Sequence, residues 1–135
     1  MARVLIIDDD ELFIKLMLHA LKQRGHEVEF ALDGLAGSRM FLASEFDVVV
    51  CDIVMPEQEG VETIKIMRRA RPNVGIIAIS GGLSLSHTTN IDVLHIAGQL
   101  GANATLRKPF QLSELTAAVD AVLSKTSGNC ARASA

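Results

Sequence analysis

Four short apolar runs each stop at a polar group, and this pattern restricts the possible folds more than any other feature of the chain. Val4-Leu5-Ile6-Ile7 leads into Asp8 and Asp9, and Val48-Val49-Val50-Cys51 into Asp52. Ile76-Ile77-Ala78-Ile79 leads into Ser80, and Ala104-Thr105-Leu106-Arg107 into Lys108. Short apolar runs bounded by turn residues read as buried strands. They give strands at about Arg3–Ile7, Asp47–Cys51, Val74–Ile79 and Ala104–Leu106. A fifth, Glu27–Ala31, alternates Val28 and Phe30 with Glu27 and Glu29, which fits a sheet edge. Between the strands, helical patterns cover about Glu11–Arg24, a short stretch to Ala43, Gly60–Ala70, Ile91–Leu100 and Leu112–Leu123. Phe13, Leu16, Met17, Ala20 and Leu21 form the apolar face of the first helix. Leu112, Leu115, Val119, Val122 and Leu123 form that of the last. Alternating strands and helices predict an α/β fold with a parallel sheet and helices on both faces. Ligands of such sheets sit beyond the carboxyl ends of the strands. Three carboxylates, a hydroxyl and an ammonium then converge on one shallow pocket, a set suited to a divalent metal and a phosphoryl group.

The totals exclude several classes. With 135 residues there is room for one ordinary domain, read here as residues 1–125 with a small, polar, disordered tail at 126–135. A net charge of −3 lacks the basic footprint of a non-specific nucleic-acid binder. No apolar run approaches the roughly 18 residues of a membrane helix, and aspartates follow the first four apolar residues, unlike a signal peptide. A cytoplasmic location is expected by default. Cys51 lies in an expected central strand and Cys130 in the tail, so no disulfide is expected between them. His19, His26, His87 and His95 lack ligand spacing and read as solvated or half-buried. Met17, Met40 and Met67 read as core filler. Arg68, Arg69 and Arg71 read as a solvated helix end that complements the helix dipole. Residues 81–90, rich in Gly, Ser and Thr, read as a mobile loop beside Ser80.

Magnesium prefers oxygen ligands and binds through one or two carboxylates plus phosphate oxygens. Asp9 and Asp52 could supply that pair, with Asp8 holding a coordinated water; Asp10 reads as a helix cap. A carboxylate oxygen in such a site can attack an incoming phosphoryl group, giving an aspartyl phosphate. Phosphoryl transfer needs mainly positioning and charge neutralisation. Lys108 would neutralise a phosphoryl oxygen, and the Ser80 hydroxyl would donate to another, aided by backbone N–H groups of Gly81 and Gly82.

Val4-Leu5-Ile6-Ile7-Asp8-Asp9-Asp10, Asp52-Ile53-Val54-Met55-Pro56 with Gly60, Ser80-Gly81-Gly82 and Lys108-Pro109-Phe110 together resemble the receiver domain of two-component response regulators, in its stand-alone form. The resemblance runs in order from residue 3 to about 125. It implies the flavodoxin-like (βα)5 fold with a five-stranded sheet of order 2-1-3-4-5. It also implies that Asp52 is the phosphoacceptor and that Mg²⁺ sits among Asp8, Asp9, Asp52 and the Val54 carbonyl. Ser80 becomes the switch hydroxyl and Lys108 the phosphate-binding lysine. The donor becomes a phosphohistidine on a histidine kinase or phosphotransfer protein, and the output a change of protein partner. Such a domain is a switch that assists its own phosphorylation and dephosphorylation rather than an enzyme acting on a separate substrate. A monomer or weak dimer without direct nucleic-acid or membrane contact is expected.

Some positions depart from the family pattern. Thr105 stands where the family usually has its switch aromatic, three residues before the lysine. The stretch from Ser80 to Lys108 is longer than usual. Val54 and Gly82 occupy the positions that tune dephosphorylation, and neither orients a water, so a long-lived phosphoryl group is expected. The usual output domain is absent, so the chain either acts by binding partners or is a fragment of something longer. A receiver-like scaffold that works without phosphorylation is the alternative. A small phosphohydrolase or flavin carrier fits less well, since aspartates follow the first strand and the chain has no Trp or Tyr.

Overall fold

A computed structural model describes residues 2–53, 59–80, 98–99 and 101–134, with the backbone alone for 59–60 and 126–134. Its strands are β1 (Arg3–Ile7), β2 (Glu27–Ala31), β3 (Val48–Asp52), β4 (Gly75–Ser80) and β5 (Ala104–Arg107). Its helices are α1 (Glu11–Gln23), α2 (Gly34–Ala43), α3 (Glu59–Ala70) and α4 (Leu112–Ser134). The five strands form one sheet in the order β2-β1-β3-β4-β5, and every neighbouring pair is parallel. The fold class and strand order expected from the sequence are therefore present. The expected helix at 91–100 lies outside the described residues except for 98–99, which are helical.

Side chains on successive strand residues point to opposite faces, and the core divides accordingly. Val4, Ile6, Val48, Val50, Ile77 and Ile79 pack on one face with Ile14, Met17 and Leu21 of α1 and Leu115, Val119 and Val122 of α4. Leu5, Ile7, Val49, Cys51, Ile76 and Ala78 pack on the other with Phe41 of α2 and Ile64 and Met67 of α3. Each such side chain removed from water contributes roughly 1.5–3 kcal/mol. All five residues of β3 are buried, as a strand covered on both faces requires. β2 is the edge: Phe30 there is 47% exposed, while Arg3 pairs with Glu29 at 2.7 Å and Glu27 at 3.6 Å.

Three expectations are corrected. The buried stripe of α1 is Ile14, Met17 and Leu21, whereas Leu16 is exposed. Apolar residues occur all round this helix, so periodicity alone left its rotation open by about one residue. The last helix continues to Ser134, so the backbone of 126–134 is helical where composition suggested disorder; no proline interrupts it. Arg68 is not a solvated charge. Its guanidinium donates to the carbonyls of Gly101 (3.2 Å), Pro72 and Val74 (both 2.7 Å), and to Asn103 Oδ1 at 2.7 Å. Asn103 Oδ1 also accepts from the Ile76 amide at 2.8 Å. This cluster ties the end of α3 to the start of β5. Gly101 at its centre has φ +114°, a conformation that favours glycine.

Candidate functional site

The candidate site lies at the carboxyl edge of the sheet, where the three strands β1, β3 and β4 and the segment after β5 end side by side. Parallel register makes this so: Ile7 is opposite Cys51, Asp52 opposite Ile79, and Ser80 opposite Arg107. Asp8, Asp52, Ser80 and Lys108 therefore leave the sheet within one patch. Asp8, Asp52 and Ser80 are buried and Asp9 is exposed. The carboxylate oxygens of Asp8, Asp9 and Asp52 lie within 4.8 Å of one another.

Lys108 reaches two of these carboxylates. Its Nζ is 3.1 Å from Asp8 Oδ2 and 3.5 Å from Asp52 Oδ2. The Lys108 amide donates to the Ser80 carbonyl at 2.8 Å, so the lysine and the candidate hydroxyl share one rung of backbone. The peptide from Lys108 to Pro109 is cis. Asp10 caps α1 by accepting from the Phe13 amide at 3.1 Å, as expected for this residue, while its own amide donates to Asp8 Oδ1 at 2.9 Å.

Burial pushes the Asp8 carboxyl above the usual carboxylate range, with the Asp9 charge adding to it; the Asp10 amide and Lys108 pull the other way without cancelling the rise. Burial alone would lower the Lys108 ammonium, but the Asp8 and Asp52 carboxylates outweigh it and hold the ammonium above its ordinary value. Burial, then the Asp52 and Asp8 charges, push the Cys51 thiol far up, so it is a protonated core residue with no nucleophilic role.

The fit to a hard divalent cation is good on these observations. The donors are all carboxylate oxygens, close enough to share one ion, and two of the three, Asp8 and Asp52, are buried. Val54 and Gly81, expected as a carbonyl ligand and a phosphate-binding amide, lie outside the described residues, as do Gly82 and the rest of the 81–90 loop. Thr105 is exposed on β5 opposite Ala78. Sequence reasoning missed two neighbours of the site. Phe13 places its ring beneath Lys108 Nζ, 4.6 Å from centroid to nitrogen, and Phe110 meets that ring edge to face at 5.3 Å. Phe13 read only as core, although its place in the first turn of α1, directly after the aspartates, keeps it near the carboxyl edge of the sheet.

A parallel α/β sheet with an acidic, lysine-guarded pocket at its carboxyl edge defines a small class of proteins. Within it the chain belongs to the response regulator receiver domain family, whose model matches residues 4–120. It is 31% identical over 126 residues to the transcriptional regulatory protein RprY of Bacteroides fragilis (strain YCH46), covering 93% of this chain and 51% of the relative. It is 32% identical over 126 residues to the response regulator MprA of Mycobacterium sp. (strain KMS), covering 93% and 52%. The chain thus spans about half the length of these curated relatives. Among solved structures it is similar to the CheY-like response regulator receiver domain protein of Methanospirillum hungatei JF-1. That match has TM-score 0.84 and 26% identity, over 96% of this chain and 98% of the other.

Proposed function

We propose that the chain is a phosphorylation switch in which Asp52 accepts a phosphoryl group from a phosphohistidine of a histidine kinase or phosphotransfer protein. Mg²⁺ would be held by Asp9, Asp52, Asp8 and the Val54 carbonyl, and the outcome is a change of downstream protein partner. The single observation that carries this reading is the buried Asp52 carboxylate at the end of the central strand, grouped with Asp8 and Asp9 and 3.5 Å from the Lys108 ammonium. An Asp52 oxygen attacks phosphorus; an O–P bond forms, the P–N bond breaks, and its electron pair leaves with the donor imidazole. Bound metal would supply charge neutralisation of the phosphoryl oxygens. Lys108 already faces the position where the new charge appears, and Ser80 ends the neighbouring strand with a hydroxyl that can donate to the transferred group. Receiver domains work as switches of this kind rather than as turnover enzymes. Residues 1–125 form the receiver unit in this reading, working in the cytoplasm; among the described residues no helix is long and apolar enough to cross a membrane. Val54 and Gly82 offer no side chain to orient a hydrolytic water, so the phosphoryl group is long-lived.

The test is intact-protein mass after incubation with Mg²⁺ and acetyl phosphate. One phosphoryl adduct is expected, lost with chelator and in Asp52→Ala, and persisting beyond seconds after the donor is removed. A folded protein that takes up nothing from acetyl phosphate or from a phosphohistidine donor would favour the phosphorylation-independent scaffold instead.

A further inference from the structure

Two carboxylates and an aromatic face hold the Lys108 ammonium, and phosphoryl chemistry by itself does not call for the aromatic face. Nζ sits 4.6 Å from the Phe13 centroid, while Asp8 and Asp52 take it at 3.1 and 3.5 Å. The ring is fixed in turn. Phe110 meets it edge to face, with planes at 68°, and the Phe13 amide is bound by Asp10, whose own amide is bound to Asp8. The contacts close a circuit through Asp8, Asp10, Phe13 and Lys108 and back to Asp8. A lysine is a compact charge on a flexible four-carbon stem, and carboxylates attract it without fixing its direction. A ring face attracts a cation only from above its plane. Phe110 lies two residues beyond Lys108, so the ring pair also joins α1 to the segment that carries the ammonium.

We propose that Phe13 is a positioning residue whose ring face, braced by Phe110, aims the Lys108 ammonium at the place where a phosphoryl oxygen on Asp52 arrives. The proposal rests on the phosphoryl-accepting reading above. Phe13 touches no reacting atom and acts through Lys108. Replacing the ring while keeping an apolar side chain slows phosphorylation and leaves fold and metal affinity intact; an aromatic replacement restores the rate.

The test combines a contact readout with a rate. In lysine-labelled protein the Lys108 ε-methylene protons are shifted upfield by the Phe13 ring current; the resonance is assigned by its loss in Lys108→Met. Phe13→Leu returns it to the ordinary lysine position, and Phe13→Tyr keeps it shifted. With Mg²⁺ and acetyl phosphate, Phe13→Leu loads about three- to tenfold more slowly than wild type. Phe13→Tyr loads at nearly the wild-type rate, and Phe13→Leu adds no loss to Lys108→Met. Phe110→Leu, which loosens the brace, gives the same changes in smaller measure and serves should Phe13→Leu not fold. An unmoved Lys108 resonance in Phe13→Leu, equal loading rates, or additive losses in the double variant would overturn the proposal. A wild-type protein that shows the shifted resonance but takes up no phosphoryl group upholds the ring–ammonium contact and overturns the phosphoryl-accepting reading instead.

Discussion

Asp8 is a carboxylate placed where its charge is a burden until something relieves it. Burial raises its pKa in the folded chain, so the folded state binds this proton more tightly than the unfolded state does. The contribution to stability is then fullest at acid pH and is lost as pH rises through the folded value. At neutral pH an ionised Asp8 therefore weakens the metal-free fold. Asp8→Asn is expected to raise the urea midpoint in chelator and to abolish most of the gain that Mg²⁺ gives wild type; an unchanged or lower midpoint in chelator would refute this. His26 runs the opposite way. It is buried, contrary to the solvated or half-buried role expected of it, and its Nδ1 accepts from the Ala2 amide at 3.2 Å. Burial lowers its pKa, so its contribution is present above the unfolded value of about 6.5 and is lost as pH falls through the lower folded value. The unfolding free energy of wild type relative to His26→Gln should fall from pH 7 down to pH 5, a difference that separates this group from the opposing change at Asp8; a difference that stays flat would refute it. At this scale the sequence was a partial guide. The aspartates and Lys108 were legible because each ends an apolar run, whereas His26 and Arg68 depend on groups such as the Ala2 amide, the Gly101 carbonyl and the Asn103 side chain, which lie far along the chain and which no local pattern announces.

Among the elements, the strands were the most legible, because runs such as Val48–Cys51 allow little besides a strand covered on both faces. Helix rotation was less so. Leu12, Phe13, Ile14, Leu16, Met17 and Leu18 offer several apolar stripes, and the sheet surface presented by Val4 and Ile6 selects Ile14 and Met17. The seat of α4 depends on a position without a side chain: a Cβ at Gly75 would collide with Val122 Cγ1 and lie 3.3 Å from the Asp47 carbonyl. Val122 is a stiff, β-branched residue in a packed core, and overfilling such a core costs about 1–3 kcal/mol. Gly75→Ala is accordingly expected to lower the thermal midpoint by several degrees while leaving phosphorylation of the folded protein intact. Calorimetry with a parallel loading assay checks both halves, and an unshifted midpoint would show that α4 can move aside freely.

In the whole molecule, the convergence of four distant sequence positions follows from one topological rule, that parallel strands end on a common edge, which is why most of the candidate site was legible in the order of residues alone. The aromatic pair was not, because Phe13 meets Lys108 only once α1 is rotated onto the sheet and the 108–110 segment folds back over it. The mounting of Asp52 has a mechanical consequence. It terminates a strand buried at every residue and flanked on both sides by partners, a setting in which local opening is costly. Amides of β3 are expected to exchange with solvent more slowly than those of β2 or β5, and to keep that rank when beryllofluoride occupies the site; acceleration in β3 would contradict it. In the proposed reading, a covalent change at Asp52 is made on a base that is held on both sides and on both faces. That reading has the work of the change pass outward from the strand, much as a blow on an anvil moves whatever rests on it and not the anvil.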